Sequence, residues 1–253
     1  VNGDPSAREE EDEVFYLRRA LDPPGRVRSG NSADVVTENQ FENLVLDPYQ
    51  VVVLANLYRI TDSRAQALGR WVEKGGGLIL FLGDQVDPEP YNERLWAGGE
   101  GLMPMPLVAP AGDETHRNWV TFSPDKLNHP VFRYFSGEQT ALLNRVKFFR
   151  WWSVDDEHKA VAKAVADGRT EVVASFANPE ESPAVIESTF GKGRVMLVTS
   201  AADDDWSNWP DDPSYLVTTL EMADYMTPPA PDDANVTVGT AIRLRIDPGR
   251  YLA

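Results

Sequence analysis

Two short apolar runs constrain the fold of this chain more than any other feature. They lie at 51–55 (V-V-V-L-A) and 77–83 (G-L-I-L-F-L-G), with a segment of helical periodicity between them. A strand that is apolar throughout is typical of a sheet covered on both faces. A strand, a helix and a second strand in succession favour parallel strands joined by a right-handed crossover. We therefore expect an α/β fold with helices on both faces of its sheet.

Capping residues predict where two helices begin. Asp4 and Asp212 are each followed by a proline, which combines an N-cap side chain with a residue suited to the first helical position. The first helix is expected to end before Pro23. The second is expected to carry an apolar stripe of three residues, Leu216, Leu220 and Ala223.

The remaining patterns predict five further strands and one long irregular segment. Further strands are expected at 33–37, 146–154, 170–176, 184–188 and 195–199. F-G-K-G-R before the last of these predicts a tight turn, whereas prolines make 84–135 rich in loops, with one helix near 91–96. We expect residues 1–228 to form one domain, a three-layer α/β sandwich with a flavodoxin-like, mainly parallel sheet. Residues 229–253 are expected to form a proline-rich linker and the start of a further β segment.

Composition narrows the classes of partner and cofactor. The 253 residues carry a formal net charge of −16, contain no cysteine and include three histidines. A polyanionic chain is repelled by nucleic acid, so no nucleic acid partner is expected. The absence of cysteine excludes disulfides, thiolate zinc sites and a cysteine nucleophile. No cofactor is expected, and no apolar run approaches the roughly 18 residues of a membrane helix.

The order of these motifs resembles the class I glutamine amidotransferase-like superfamily. The resemblance rests on V-V-V-L-A-N-L, W-V-E-K-G-G-G, L-I-L-F-L-G and F-G-K-G-R-V-M-L-V-T-S, and it covers roughly residues 1–228. More narrowly, the chain looks like the amidotransferase-like domain of bacterial membrane-anchored proteins of the aerotolerance-regulator type. This resemblance implies membrane helices elsewhere in a longer protein. It also implies a location in the cell envelope, as a periplasmic or extracytoplasmic domain.

The reaction of that superfamily is not expected here. Its catalytic cysteine follows the strand that matches 78–82, where this chain has G-D-Q at 83–85. Its histidine and glutamate follow the strand that matches 195–199, where this chain has S-A-A-D at 200–203. A carboxylate cannot replace the thiolate nucleophile. The resemblance therefore implies a pseudoenzyme, and whether the chain is an enzyme of another kind stays open.

An acidic rim is predicted at the carboxyl ends of the strands, where open α/β sheets bind ligands. Its tentative ligand-binding residues are Asp4, Gly83, Asp84, Gln85, Asp203, Asp204 and Trp206. Three convergent carboxylates can bind Ca²⁺ or Mg²⁺, but aspartates in such positions usually cap helices and turns. The D-D-D run lacks the alternating spacing of a calcium loop, so no metal ligands are assigned.

Three functions remain open from the sequence. The first is a non-enzymatic module of a larger membrane-anchored envelope protein, in protein interaction or ligand sensing, whose partners are other domains of that chain or other envelope proteins. The second is a metal-assisted hydrolase, which requires the carboxylates of Asp4, Asp84 and Asp203 to converge. The third is a carbohydrate-binding module, which requires Trp206 or Trp209 to be exposed beside a groove.

Overall fold

The computed structural model of the chain describes residues 1–26, 28–135 and 137–228. The predicted linker and β segment at 229–253 lie outside the described residues. The strands are, in chain order, β1 Val51–Ala55, β2 Gly77–Phe81, β3 Leu107–Gly112, β4 Arg150–Val154, β5 Thr170–Ser175, β6 Pro183–Phe190 and β7 Gly193–Val198. The helices are α1 Phe15–Leu21, α2 Glu38–Phe41, α3 Asp62–Glu73, α4 Pro88–Pro90, α5 Lys159–Ala166 and α6 Pro213–Met226.

Short helical turns connect these elements. A π-helical turn at Tyr91–Trp96 continues α4, which confirms the predicted helix in that region. The 3₁₀ turns lie at Glu9–Glu11, Ala97–Gly99, Pro124–Lys126, Pro130–Phe135 and Gly137–Arg145. Within the described ranges, no helix has the length and apolar character needed to cross a membrane.

The main sheet has five strands in the order β1-β2-β7-β6-β5. The pairs β1–β2 and β2–β7 are parallel, and β6 is antiparallel to both of its neighbours. The reversal at β6 follows from the predicted turn, because residues 191–192 close a two-residue hairpin between β6 and β7. The expected α/β class is confirmed, and the sheet is mixed, with four of its five strands running in one direction.

Two apolar cores lie on opposite faces of this sheet. Alternate residues of β2 point to opposite faces, so Ile79 and Phe81 join one core while Leu78 and Leu80 join the other. The first core receives the buried faces of α1 and α6. The second receives the buried face of α3. Helices therefore pack on both faces, as the uninterrupted apolar runs predicted.

The first helix begins later than its sequence predicts. Asp4 is exposed and caps no helix, since α1 begins at Phe15. The N-cap residue is Val14, and no side chain caps the helix. The Asp12 carboxylate lies just before it, and its Oδ1 accepts a hydrogen bond from the Val14 amide at 3.1 Å. Asp12 also accepts two bonds from the Asn2 side chain. The helix ends at Leu21, before Pro23 as predicted.

The irregular segment contains a strand that the sequence did not predict. β3 pairs with β4 in a separate two-stranded antiparallel sheet. Its sequence, L-V-A-P-A-G, contains a proline and has no alternation of apolar and polar residues, so the sequence does not indicate a strand here. The strand predicted at 33–37 is wrong, because only Thr37 forms an isolated bridge, to Asn2.

Candidate functional site

Asn56 organises the carboxyl end of the sheet. It follows β1 directly and has a φ of 50°, a left-handed conformation that asparagine tolerates better than most residues. Its Nδ2 donates to Glu13 Oε2 at 2.9 Å and to Asp84 Oδ1 at 2.9 Å. Its Oδ1 accepts from the Gln85 amide at 2.9 Å. The side chain thus uses both donors and one acceptor to join three loops.

Two glycines make room for Asn56. A Cβ at Gly83 would lie 2.3 Å from the Asn56 side chain, and a Cβ at Gly3 would lie 2.1 Å from the Asn56 carbonyl oxygen. Neither position has space for a side chain. The Gly83 carbonyl also accepts a hydrogen bond from Trp152 Nε1 at 2.9 Å. Gly83, predicted as a ligand-binding residue, is therefore buried and occupied by contacts within the protein.

Glu13 is a buried carboxyl group that connects the first segment of the chain to the loop after β7. It is 1% exposed, and its Oε1 accepts a hydrogen bond from the Ala202 amide at 2.9 Å. Burial, followed by the charge of Asp203, raises the pKa of Glu13 well above its usual range. The hydrogen bonds from Ala202 and Asn56 oppose that rise in pKa because they favour the carboxylate.

Asp203 is the most perturbed carboxyl of the predicted set. It is buried, and its Oδ1 accepts from the Asp205 amide at 3.2 Å. Burial and then the charge of Asp205 raise its pKa to about 7. Burial, with neighbouring carboxylates as lesser causes, also raises the pKa of Asp4 and of Asp204. The rim therefore gathers like charges, which disfavours full ionisation at neutral pH.

This acidic rim is not arranged as a metal site. No group of three or more histidine, aspartate or glutamate side chains is placed to hold a metal ion among residues 1–26, 28–135 and 137–228. The Asp84 carboxylate instead accepts hydrogen bonds from Asn56 Nδ2 and from Gln85 Nε2 at 3.3 Å. The metal-assisted hydrolase is therefore not retained.

Both tryptophans of the loop after β7 are buried. Trp206 and Trp209 are 2% and 1% exposed, and they belong to the cores on opposite faces of the sheet. The Arg150 guanidinium covers the Trp206 ring at 4.7 Å from its centroid. Neither ring is available for stacking on a sugar, so the prediction of a carbohydrate-binding module is wrong.

The sequence patterns did not predict Asn56 and Glu13, whose hydrogen bonds join the loops of the rim. Asn56 follows a buried strand in the same way as Asp84, so the same positional signal identifies it. Glu13 lies in an acidic run, E-E-E-D-E at 9–13, where nothing distinguishes it from its solvated neighbours. Its burial depends on contacts with residues 43 and 189 positions away.

A second polar network lies away from the rim, against the face covered by α6. His129 Nε2 and Glu187 Oε2 are 2.9 Å apart, and both residues are buried. Arg194 donates to Glu187 Oε1 at 2.5 Å and to the Tyr225 hydroxyl at 2.8 Å. The network joins the turn at Pro130–Phe135 to β6, β7 and α6. Each member has a protein partner, so the network has a structural role.

The comparisons with known proteins identify the family. The family model described as beta-galactosidase trimerisation domain matches residues 27–209. A cytoplasmic protein from Salmonella typhimurium has a similar structure, with a TM-score of 0.62 and 14% identity over 87% of this chain and 89% of its own. A putative ThuA-like protein from Parabacteroides merdae has a TM-score of 0.53 and 16% identity over 91% of each chain.

A whole enzyme is also among the similar structures. The beta-galactosidase from Bacillus circulans sp. alkalophilus has a TM-score of 0.53 and 13% identity over 85% of this chain. This chain spans only 27% of that enzyme. No curated protein sequence matches the chain. At these identities the structural likenesses show a shared fold alone.

These matches correct the amidotransferase interpretation. The predicted relationship to class I glutamine amidotransferases is wrong, because the family model and the similar structures are of other kinds of protein. The description of the chain as a pseudoenzyme module of an envelope protein rested on that relationship and is wrong as well. The predicted periplasmic or extracytoplasmic location rested on the same resemblance and is wrong for the same reason. The family model of the beta-galactosidase trimerisation domain matches residues 27–209 of the 253. Because this match covers more than half of the sequence, the chain belongs to the beta-galactosidase trimerisation domain family.

Proposed function

We propose that this chain is an assembly domain that holds copies of a longer protein together as a trimer. The family description names that role for beta-galactosidases, and the Bacillus circulans enzyme carries this fold in about a quarter of its length. Other domains of the same chain are further partners under this proposal. The observation that carries it is a partly exposed apolar surface on α6, centred on Leu216.

The outward side of α6 begins with apolar residues, where a surface helix is ordinarily polar, and Asp224 is exposed further along the same side. Leu216 is 45% exposed, and Leu220 is half-buried. Val217 is half-buried as well and packs partly against the first core. The residues that α6 turns into the core include Tyr215, Met222 and Met226. Apolar side chains therefore occupy both sides of this helix, as expected for a helix that is covered on both sides.

Two neighbouring turns extend the apolar surface. Tyr134 is 55% exposed and Leu142 is 48% exposed. Ion pairs connect their turns to α6: Arg133 Nε lies 2.8 Å from Glu221 Oε2, and Arg145 Nη2 lies 3.3 Å from Asp212 Oδ2. We call Tyr134, Leu142, Leu216, Val217 and Leu220 the α6 surface. Contiguous exposed apolar side chains with a polar rim mark protein interaction sites.

Charge also favours this surface for contact between copies. The chain carries a net charge of −16, so most of its surface repels a second copy. The arginines Arg133 and Arg145 pair with two of the acidic side chains beside the α6 surface, Glu221 and Asp212. An interface centred on apolar residues with paired charges at its rim avoids most of that repulsion.

The experiment is a measurement of molar mass in solution by light scattering after size exclusion. The whole chain is expected to elute as a trimer, and Leu216→Glu is expected to elute as a monomer, because it places a charge in the apolar centre. The matched control is Val165→Glu on α5, on the other side of the sheet, where the side chain is also 48% exposed. Circular dichroism verifies that both variants are folded. A monomeric wild type, or a trimeric Leu216→Glu variant, would contradict the proposal.

We also propose the finer description of the fold and its extent, a flavodoxin-like three-layer sandwich formed by residues 1–228 as one domain. Helices on both faces of a sheet with four codirectional strands support it. A ligand role for the acidic rim stays a prediction. The contacts of Asp84, Gln85 and Asp203 within the protein favour a structural role for that rim.

A further inference from the structure

The symmetry of the proposed trimer sets a requirement that the α6 surface alone does not meet. In a closed ring of three copies, every interface joins two different patches, because no twofold axis relates one copy to the next. A copy that offers its α6 surface to one neighbour must therefore offer a second surface to the other neighbour. This requirement rests on the proposed trimer.

Trp119 is an exposed aromatic side chain outside the α6 surface. All seven tryptophans lie in the described part of the chain, and Trp119 alone is exposed there, at 48%. The Lys147 ammonium lies 4.1 Å from the centre of its ring, and Arg117 is exposed two residues before it. We call Arg117, Trp119 and Lys147 the Trp119 surface. Tryptophan and arginine are enriched among the residues that dominate the energy of protein interfaces.

The loop at 113–119 is fixed by its own side chains. Asp113 Oδ1 accepts hydrogen bonds from the amide and the hydroxyl of Thr115 at 2.8 and 2.6 Å. Its Oδ2 accepts from the amide and the side chain of Asn118 at 3.0 and 2.8 Å. His116 has a φ of 56°, and its ring stacks on a neighbouring phenylalanine with 4.4 Å between centroids. A loop that is ordered before binding loses less conformational entropy when a partner binds.

The Trp119 surface lies near the start of α6. The Arg145 guanidinium is 3.3 Å from the carboxylate of Asp212, which is the N-cap residue of α6, and Lys147 follows Arg145 by two residues. The Lys147 amide donates to Asn208 Oδ1 at 2.6 Å, just before the same helix. Two surfaces that lie near each other on one copy can both face a threefold axis, where the copies converge.

Charge favours contact between these two surfaces. Arg117 and Lys147 are basic, whereas Asp224 is exposed beside the apolar residues of α6. The net charge of −16 makes a contact between two acidic surfaces of this chain repulsive. Complementary charges at the rim of an interface determine the orientation of the partner more than they increase its affinity. A basic surface around an exposed tryptophan is therefore suited to the acidic rim of the α6 surface.

We propose that the Trp119 surface of one copy packs against the α6 surface of the next copy, with the indole ring over the apolar side chains of α6. Three such contacts close the ring. Each contact buries an aromatic ring that is exposed in the single copy, and this burial stabilises the assembly. The basic side chains beside the ring then lie close to the acidic rim of the neighbouring copy.

The first test measures molar mass in solution by light scattering after size exclusion. Trp119→Glu is expected to elute as a monomer, and Tyr58→Glu is expected to elute as a trimer like the wild type. Tyr58 is a matched control, because it is 47% exposed and the Arg59 guanidinium lies 5.7 Å from the centre of its ring. A trimeric Trp119→Glu variant beside a monomeric Leu216→Glu variant would overturn the pairing of surfaces but not the trimer. Equal dissociation by Tyr58→Glu would overturn the pairing as well, whereas a monomeric wild type would overturn both.

A mixture of two monomeric variants distinguishes contact between different surfaces from contact between like surfaces. Leu216→Glu keeps an intact Trp119 surface, and Trp119→Glu keeps an intact α6 surface. An equimolar mixture is therefore expected to form a dimer with one copy of each variant, at roughly hundredfold the concentration that makes the wild type trimeric, because one contact lacks the gain from ring closure. Formation of this dimer also shows that both variants are folded. A mixture that stays monomeric would overturn the proposal, since like surfaces gain nothing from mixing.

Discussion

One asparagine side chain, that of Asn56, joins three loops at the carboxyl end of the sheet. It donates hydrogen bonds to Glu13 and Asp84 and accepts one from the Gln85 amide. Position alone predicted Gly83 and Asp84, because both follow a buried strand. The role of Glu13 could not be predicted, because it depends on contact with a loop far away in the sequence. The sequence thus identifies residues at the carboxyl ends of the strands, but not the hydrogen bonds that those residues form.

Replacement of Asn56 by alanine tests this role. Asn56→Ala is expected to lower the free energy of unfolding by roughly 2–4 kcal/mol, because it removes hydrogen bonds to a buried carboxyl and to two loops. Urea denaturation measures the change. The matched control is Asn43→Ala, an exposed asparagine, where the expected change is within about 0.5 kcal/mol. Equal effects of the two substitutions would show that the Asn56 bonds contribute little.

The pKa of Asp203 predicts how stability depends on pH. Burial raises this pKa from 3.8 in the unfolded chain to about 7 in the folded protein. A raised pKa means that the protonated form stabilises the fold. That contribution is complete below pH 3.8 and is lost as the pH rises through about 7. Burial similarly raises the pKa of Glu13, so wild-type stability is expected to fall between pH 5 and pH 7.5.

Asp203→Asn isolates that contribution. Asparagine cannot ionise, and its Oδ1 can still accept the bond from the Asp205 amide. The variant is expected to be more stable than wild type at pH 7.5 by roughly 2–4 kcal/mol, and close to wild type near pH 4. Denaturation curves at several pH values provide the comparison. Parallel stability profiles for the two proteins would mean that Asp203 ionises normally.

At the scale of elements, α6 shows which part of a helix the sequence can predict. Its start was predicted correctly, because Asp212 caps the helix and Pro213 occupies its first position. Its predicted apolar stripe was correct only in part, since Ala223 is buried but Leu216 is exposed. Tyr215, which was not in the stripe, is buried. Apolar residues lie on both sides of this helix, so periodicity does not identify the side that faces the core. The tight turn before β7 was easier to predict, because its residues, F-G-K-G-R, are consecutive in the sequence.

The cap of α6 can be separated from its ion pair by two substitutions. Asp212→Ala removes the hydrogen bond from the Ser214 amide at 2.9 Å and is expected to lower stability by about 1 kcal/mol. Arg145→Ala removes the ion pair to Asp212 but keeps the cap. Because Arg145 is largely exposed, its loss is expected to matter by less than about 0.5 kcal/mol. Similar losses from both variants, measured by urea denaturation, would assign the stabilisation to the ion pair.

At the scale of the whole molecule, the sequence predicted the class of fold but not the family. A buried parallel strand must be apolar on both faces. The helix before β2 is followed by Gly75, whose positive φ of 124° suits the residue that ends a helix. These requirements are physical, so unrelated α/β families share the resulting motifs. The resemblance to amidotransferases therefore reflected the fold. Features specific to this chain, such as the attachment of the turn at Pro130–Phe135 through His129 and Glu187, depend on contacts between distant segments.

Salt dependence tests whether apolar contact holds the proposed trimer together. Copies with a net charge of −16 repel one another, and salt screens this repulsion as the Debye length falls from about 10 Å at 0.1 M to about 3 Å at 1 M. Apolar contact itself is not weakened by salt. Trimer affinity, measured by sedimentation, is therefore expected to rise by roughly threefold to tenfold between 0.1 M and 1 M sodium chloride. Leu216→Glu is expected to stay monomeric at both concentrations. Weaker association at high salt would instead assign the interface to ion pairs, such as Arg133 with Glu221 exchanged between copies.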